Sequence, residues 1–78
     1  MTDGALSVLT FAAYHQLASG ERVRDVVLRD GAGHSADAGG VEVLREAGLL
    51  TVEGDRGRLT QAGEEALDRL VEAIRAAA

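Results

Sequence analysis

The side chains able to do acid–base or metal chemistry are few. The chain has two histidines, His15 and His34, and no cysteine. His34 precedes Ser35 directly, with Asp37 close behind, so a nucleophile, a base and an orienting carboxylate stand together. Working triads are assembled across a fold from distant segments, and these three are neighbours in sequence. Metal ligation by His15, His34 and Asp37 would need another strong ligand, and none is evident. His15 follows Tyr14 in a helical run and reads as a surface or boundary residue. The expectation is a protein that is not an enzyme, with no metal and no cofactor.

Binding chemistry is better represented. Thirteen acidic residues face eight basic ones, for a formal charge of −5, and every basic residue is arginine. GC-rich coding explains the missing lysine; a mildly halophilic origin is the other option, because an acidic surface stays hydrated in salt. An acidic balance counts against charge-driven binding of nucleic acid, whose partners are usually basic. The arginines are not evenly spread. Arg22, Arg24 and Arg29 cluster in one segment, and Arg56 and Arg58 in another. Together they could form a basic face. The alternative is internal pairing, such as Asp25 with Arg29 at i, i+4 on a helix.

These residues sit on a frame bounded by length. Seventy-eight residues make one domain, spanning 1–78, with one modest core. Without cysteine no disulfide framework or thiolate site can reinforce it. No run of 18 apolar residues occurs, so no membrane-spanning helix is expected. Met1-Thr2-Asp3-Gly4 lacks a basic n-region, so no secretory signal is expected and a cytoplasmic protein is the default.

Glycine punctuates a chain that has no proline. The spacing of Leu6, Leu9, Ala13 and Leu17 predicts a helix over about 5–18, stopped at Gly20. The segment 21–30 reads as a second helix with Val23, Val26 and Val27 inward, although its β-branched valines also permit a strand. A turn follows at 31–33. A third helix over 35–47 would start at Ser35 as N-cap, with Asp37 in its first turn, and end at Gly48. Val41, Leu44 and Ala47 form its inward stripe. Gly39-Gly40 weakens that helix; either it starts after them, or they permit a close backbone approach. Strands are expected at 49–53 and 57–60, joined by the tight turn 54–57. Thr60 should cap a last helix over 61–76, whose stripe is Ala66, Leu67, Leu70, Val71 and Ile74.

The run Val-Glu-Val-Leu-Arg-Glu-Ala-Gly-Leu-Leu (41–50), the hairpin Thr-Val-Glu-Gly-Asp-Arg-Gly-Arg-Leu-Thr (51–60) and Gln-Ala-Gly-Glu-Glu-Ala-Leu (61–67) resemble the winged helix-turn-helix superfamily. Leucine, two polar residues, Ala-Gly-Leu, a short hairpin and Leu-Thr-x-x-Gly-x-x-Ala-Leu look like MarR- and PadR-type regulators and their archaeal relatives. The likeness covers about Val41 to Leu70. It implies an α+β, mostly helical fold: a winged helix-turn-helix with a two-stranded wing and a C-terminal helix. It also implies a small DNA-binding transcriptional regulator acting as a homodimer. In that reading the helix over 35–47 enters the major groove and the wing touches the flanking backbone. The residues placed on double-stranded DNA are then Arg22, Arg24, Ser35, Arg45, Arg56 and Arg58. Dimerisation would use Leu67, Leu70, Val71 and Ile74, or the N-terminal helix through Leu6, Leu9 and Phe11. The recognition face departs from the pattern, because Asp37, Glu42 and Glu46 would repel phosphate. The second reading is therefore a protein- or peptide-interaction module that turns this acidic face to a basic partner.

Overall fold

The structure, a computed structural model, describes residues 1–29, 31 and 35–78. Three helices and a three-stranded antiparallel sheet give an α+β fold. Helix α1 spans Asp3–Ser19, strand β1 Asp25–Val27, helix α2 Ala38–Glu46, strand β2 Leu50–Glu53, strand β3 Arg56–Leu59 and helix α3 Gln61–Ala77. Of the expected turn at 31–33 only Gly31 is among the described residues; Asp30 and His34 also lie outside them.

The expected helix over 21–30 does not form. After Gly20 stops α1 at φ 75, the chain runs extended into β1, which pairs with β3. The valines decide this: Val26 is buried opposite Gly57, whose missing side chain leaves room for Leu50. A Cβ on Gly57 would lie 2.9 Å from Leu50. A lone hairpin is marginal in water, and β1 completes it to a sheet of order β1-β3-β2. The wing is therefore not a free two-stranded projection. Its turn is tied down as well, since the Asp55 carbonyl accepts from the backbone N–H of Leu28 at 2.8 Å and of Arg29 at 3.3 Å. Among the described residues the helix before α2 is α1, and strand β1 lies between them.

Helix α2 begins later than expected. Ser35 is held extended by a bridge to Arg29, so Asp37 becomes the N-cap and accepts from the Gly40 N–H at 2.7 Å. A carboxylate cap also suits the positive end of the helix dipole. Both glycines lie inside the helix, and Gly40 explains why. A Cβ there would collide with the Gly4 carbonyl, so α1 and α2 cross backbone to backbone. At the far end Gly48 takes the left-handed conformation at φ 75, and Leu50 turns into the core.

Thr60 caps α3 as expected. Its Oγ1 accepts from the Gly63 N–H at 3.0 Å and donates to the Gly48 carbonyl at 2.6 Å, joining the start of α3 to the exit of α2. The core comprises Ala5, Val8, Leu9, Ala12 and Ala13 of α1, Val26 of β1, Leu44 of α2, Leu50 and Leu59 of the hairpin, and Leu67 and Val71 of α3. Of the expected α2 stripe, Leu44 is fully buried, Val41 half-buried and Ala47 exposed.

Candidate nucleic-acid and partner surfaces

Strand alternation sorts the hairpin side chains. Val26, Gly57 and Leu59 face the helices, so their neighbours Asp25, Arg56 and Arg58 face out. The register sets Arg58 between Asp25 of β1 and Thr51 of β2, and Arg56 between Val27 and Glu53. Two cations and two carboxylates thus share the open face of the sheet. Opposite charges on adjacent strands contribute about 0.2–1 kcal/mol. Among the described residues neither Arg56 nor Arg58 is within salt-bridge distance of a carboxylate.

The other arginines point elsewhere. Arg22 reaches across to α3, 3.6 Å from Glu64 and 3.1 Å from Asp68. Arg24, one residue out of phase with Asp25, lies on the helix side of the sheet, 3.8 Å from Glu64. Exposed pairs of this kind contribute roughly 0–1 kcal/mol, so they hold the arginines loosely. Releasing them would still leave Glu64 and Asp68 beside any phosphate. The basic face expected from Arg22, Arg24, Arg56 and Arg58 is therefore split between two sides of the sheet. The Asp25–Arg29 helical pair is not made, because the segment is not helical.

On α2, Arg45 is forked onto Glu42, with Nε 2.9 Å from Oε2 and a second, shorter contact from Nη2 to Oε1. That hydrogen bond lowers the Glu42 carboxyl from its ordinary value, and the carboxylate raises Arg45. Glu46 and Asp37 are exposed beside them, so the outer face of this helix is negative. Ser35 lines a shallow cleft between the start of α2 and the hairpin turn, with Ala38, Val41, Gly54 and Asp55. It is the one candidate on α2's approach that lies close to the hairpin tip.

The dimerisation candidates divide. Leu67 and Val71 are 1% and 2% exposed within the chain's own core, so neither is available to a second copy while the fold is intact. They are an i, i+4 pair, and the same stripe that made them candidates turns them inward. Leu70 is half-buried and Ile74 is 36% exposed. On α1, Leu9 is buried, Phe11 half-buried and Leu6 41% exposed.

His15 is exposed and packs edge-on against Phe11, ring centroids 4.5 Å apart. Asp37 is engaged as the helix cap, Ser35 is held through its main chain by the bridge to Arg29, and His34 lies outside the described residues. Among the described residues no group of three or more His, Cys, Asp or Glu could hold a metal ion, and no helix is long and apolar enough to cross a membrane.

Sequence reasoning held the third strand only as the alternative to a helix, and it missed the tie between Asp55 and the 28–29 backbone. The valine pair beside a glycine-bearing hairpin was the available signal for the first. The second is a main-chain contact and carries no side-chain signature. Compared with protein-family models, curated proteins and solved structures, the chain matches none.

Proposed function

We propose that the chain is a winged-helix-type regulatory domain that makes a small, salt-sensitive contact with the backbone of duplex DNA through its hairpin. The order helix, strand, helix, hairpin, helix, with the left-handed Gly48 exit and the Thr60 cap, supports the winged-helix reading. The observation that carries the DNA reading is the placement of Arg56 and Arg58, both outward on the central strand of the sheet with no salt bridge formed. Guanidinium groups placed this way suit phosphate oxygens. Recognition by α2 is secondary in this proposal, because its exposed face is acidic and Arg45 is paired with Glu42. Titration of duplex DNA at low salt, with wild type and Arg56→Ala, tests it. Binding by wild type that weakens in the variant is expected; no binding by either would reject the proposal.

A second reading is favoured by a separate observation. Asp37 and Glu46 stand exposed on α2 beside the Glu42–Arg45 pair, which supports an acidic α2 face that docks a basic protein or peptide. Reversal of Glu42 and Glu46 to lysine would then abolish capture of a basic peptide partner. Unchanged capture would reject this reading.

A further inference from the structure

We propose that the outer face of α1 is the interface on which a second copy of this chain docks, antiparallel, about a two-fold axis at Thr10. None of the seventeen residues from Gly4 to Gly20 is Asp, Glu, Lys or Arg, in a chain that is 27% charged. The other helices carry charge outward: Glu42, Arg45 and Glu46 on α2, and Glu65, Arg69, Glu72 and Arg75 on α3. Helix α1 is instead apolar on both sides. Ala5, Val8, Leu9, Ala12 and Ala13 face the core, while Leu6, Tyr14 and Leu17 remain 41%, 63% and 42% exposed. Such a helix normally has a second apolar contact. Depletion of charge with aromatic enrichment marks the centre of an interface.

Two hydroxyls on this face need no further partner. Thr10 Oγ1 donates to the Leu6 carbonyl at 2.7 Å, and Ser7 Oγ to the Gly4 carbonyl at 2.6 Å. Covering them strands no hydroxyl, so desolvation is cheap.

The stripe is also self-complementary. Leu6 and Tyr14 lie equally far on either side of Thr10, so an antiparallel copy sets Leu6 against the partner's Tyr14 and the reverse, as an isologous contact requires. Charge selects the occupant. A basic partner would be drawn to the acidic faces rather than to this neutral one. Two copies of net charge −5 meet here with no like-charged pair at closest approach; Asp3 shares this face with Leu6 and Thr10, and the two-fold sets it at the end of the stripe opposite Leu17 of the second copy. Area sets the strength. A seventeen-residue helix is about 25 Å long and about 11 Å across, so half of its surface sets a ceiling of roughly 430 Å² per copy. With Met1 at its edge, two copies bury at most about 1,000 Å², the lower limit for a specific contact, so the association is a weak one.

Sedimentation equilibrium from about 1 to 300 µM covers the range of a weak contact. The expected result is a rise from 8.1 kDa toward twice that mass. Dimerisation should strengthen with added salt, because screening removes the repulsion between acidic copies. DNA binding weakens with salt, so the two proposals fail separately. Tyr14→Glu should raise Kd at least tenfold with the thermal midpoint at low concentration unchanged. Thr10→Cys should cross-link to itself under mild oxidation, while Glu65→Cys on α3 should not. A monomer throughout the range would overturn the proposal and leave the face to a different partner. A dimer indifferent to Tyr14→Glu, or cross-linked through position 65 instead, would place the contact elsewhere and overturn it equally.

Discussion

Two adjacent glycines should respond to alanine with opposite signs. Gly39 and Gly40 both sit in the first turn of α2, where helix propensity alone favours alanine by up to about 1 kcal/mol at each. At Gly39 a new Cβ would meet only the Asp37 carboxylate, at 3.5 Å, an ordinary contact. At Gly40 it would overlap the carbon and oxygen of the Gly4 carbonyl and crowd the Ala5 nitrogen. Those are main-chain atoms of α1, and they cannot rotate away. Helix α1 must shift, and Ala5, Val8 and Leu9 move with it out of the core. Overpacking of that kind costs about 1–3 kcal/mol, and the upper end applies where backbone meets backbone. Subtracting the propensity gain leaves Gly40→Ala destabilised by about 1–2 kcal/mol. A core of this size supplies only about 3–5 kcal/mol, so the loss is a large share of it. The midpoint should fall by about 4–16 °C, taking 4–8 °C per kcal/mol. Gly39→Ala should hold its midpoint or gain a few degrees. Thermal unfolding followed by far-UV circular dichroism measures both. If Gly40→Ala were as stable as wild type, or if both variants lost stability equally, the backbone crossing of α1 and α2 would be refuted.

Two further outcomes concern the joints of the fold. Thr60→Ala removes the cap on Gly63 and the bond to Gly48, and should cost about 1–2 kcal/mol in urea unfolding, with Thr60→Ser restoring most of it. The Glu42 carboxyl should titrate below the ordinary glutamate value in carbon-detected NMR and return toward it in Arg45→Ala, since its shift comes first from the Arg45 hydrogen bond. A folded value below the unfolded one means that this pair helps the fold above the ordinary glutamate range, and that the help is lost as pH falls through the lowered value.

Most of the C-terminal half could be read from sequence because its signals are local. Gly48 at positive φ, Thr60 as a cap and the stripe through Leu67 and Val71 each act within a few residues. The N-terminal half depends on contacts distant in sequence. Whether Val26 and Val27 build a helix or a strand is decided by β3, some thirty residues on. The start of α2 moved from Ser35 to Asp37 because Ser35 is drawn into a bridge with Arg29. The candidate surface suffered more than the fold. Side-chain facing follows strand register, and one residue separates Arg24, which leans toward Glu64, from Asp25, which faces out beside Arg58. Proximity in sequence therefore suggested a basic patch that the sheet divides in two. The pairing of Arg22 with Asp68 crosses 46 residues, and no spacing rule anticipates it.

The most direct test of the hairpin's role is the salt dependence of DNA affinity in two double variants. Two phosphate contacts per copy give a slope of log K against log salt of about −1.8. Arg56→Ala/Arg58→Ala should bring that slope close to zero, while Arg22→Ala/Arg24→Ala should leave it near the wild-type value. A wild type without measurable affinity at low salt, or a slope lost with Arg22 and Arg24 rather than with Arg56 and Arg58, would contradict the account.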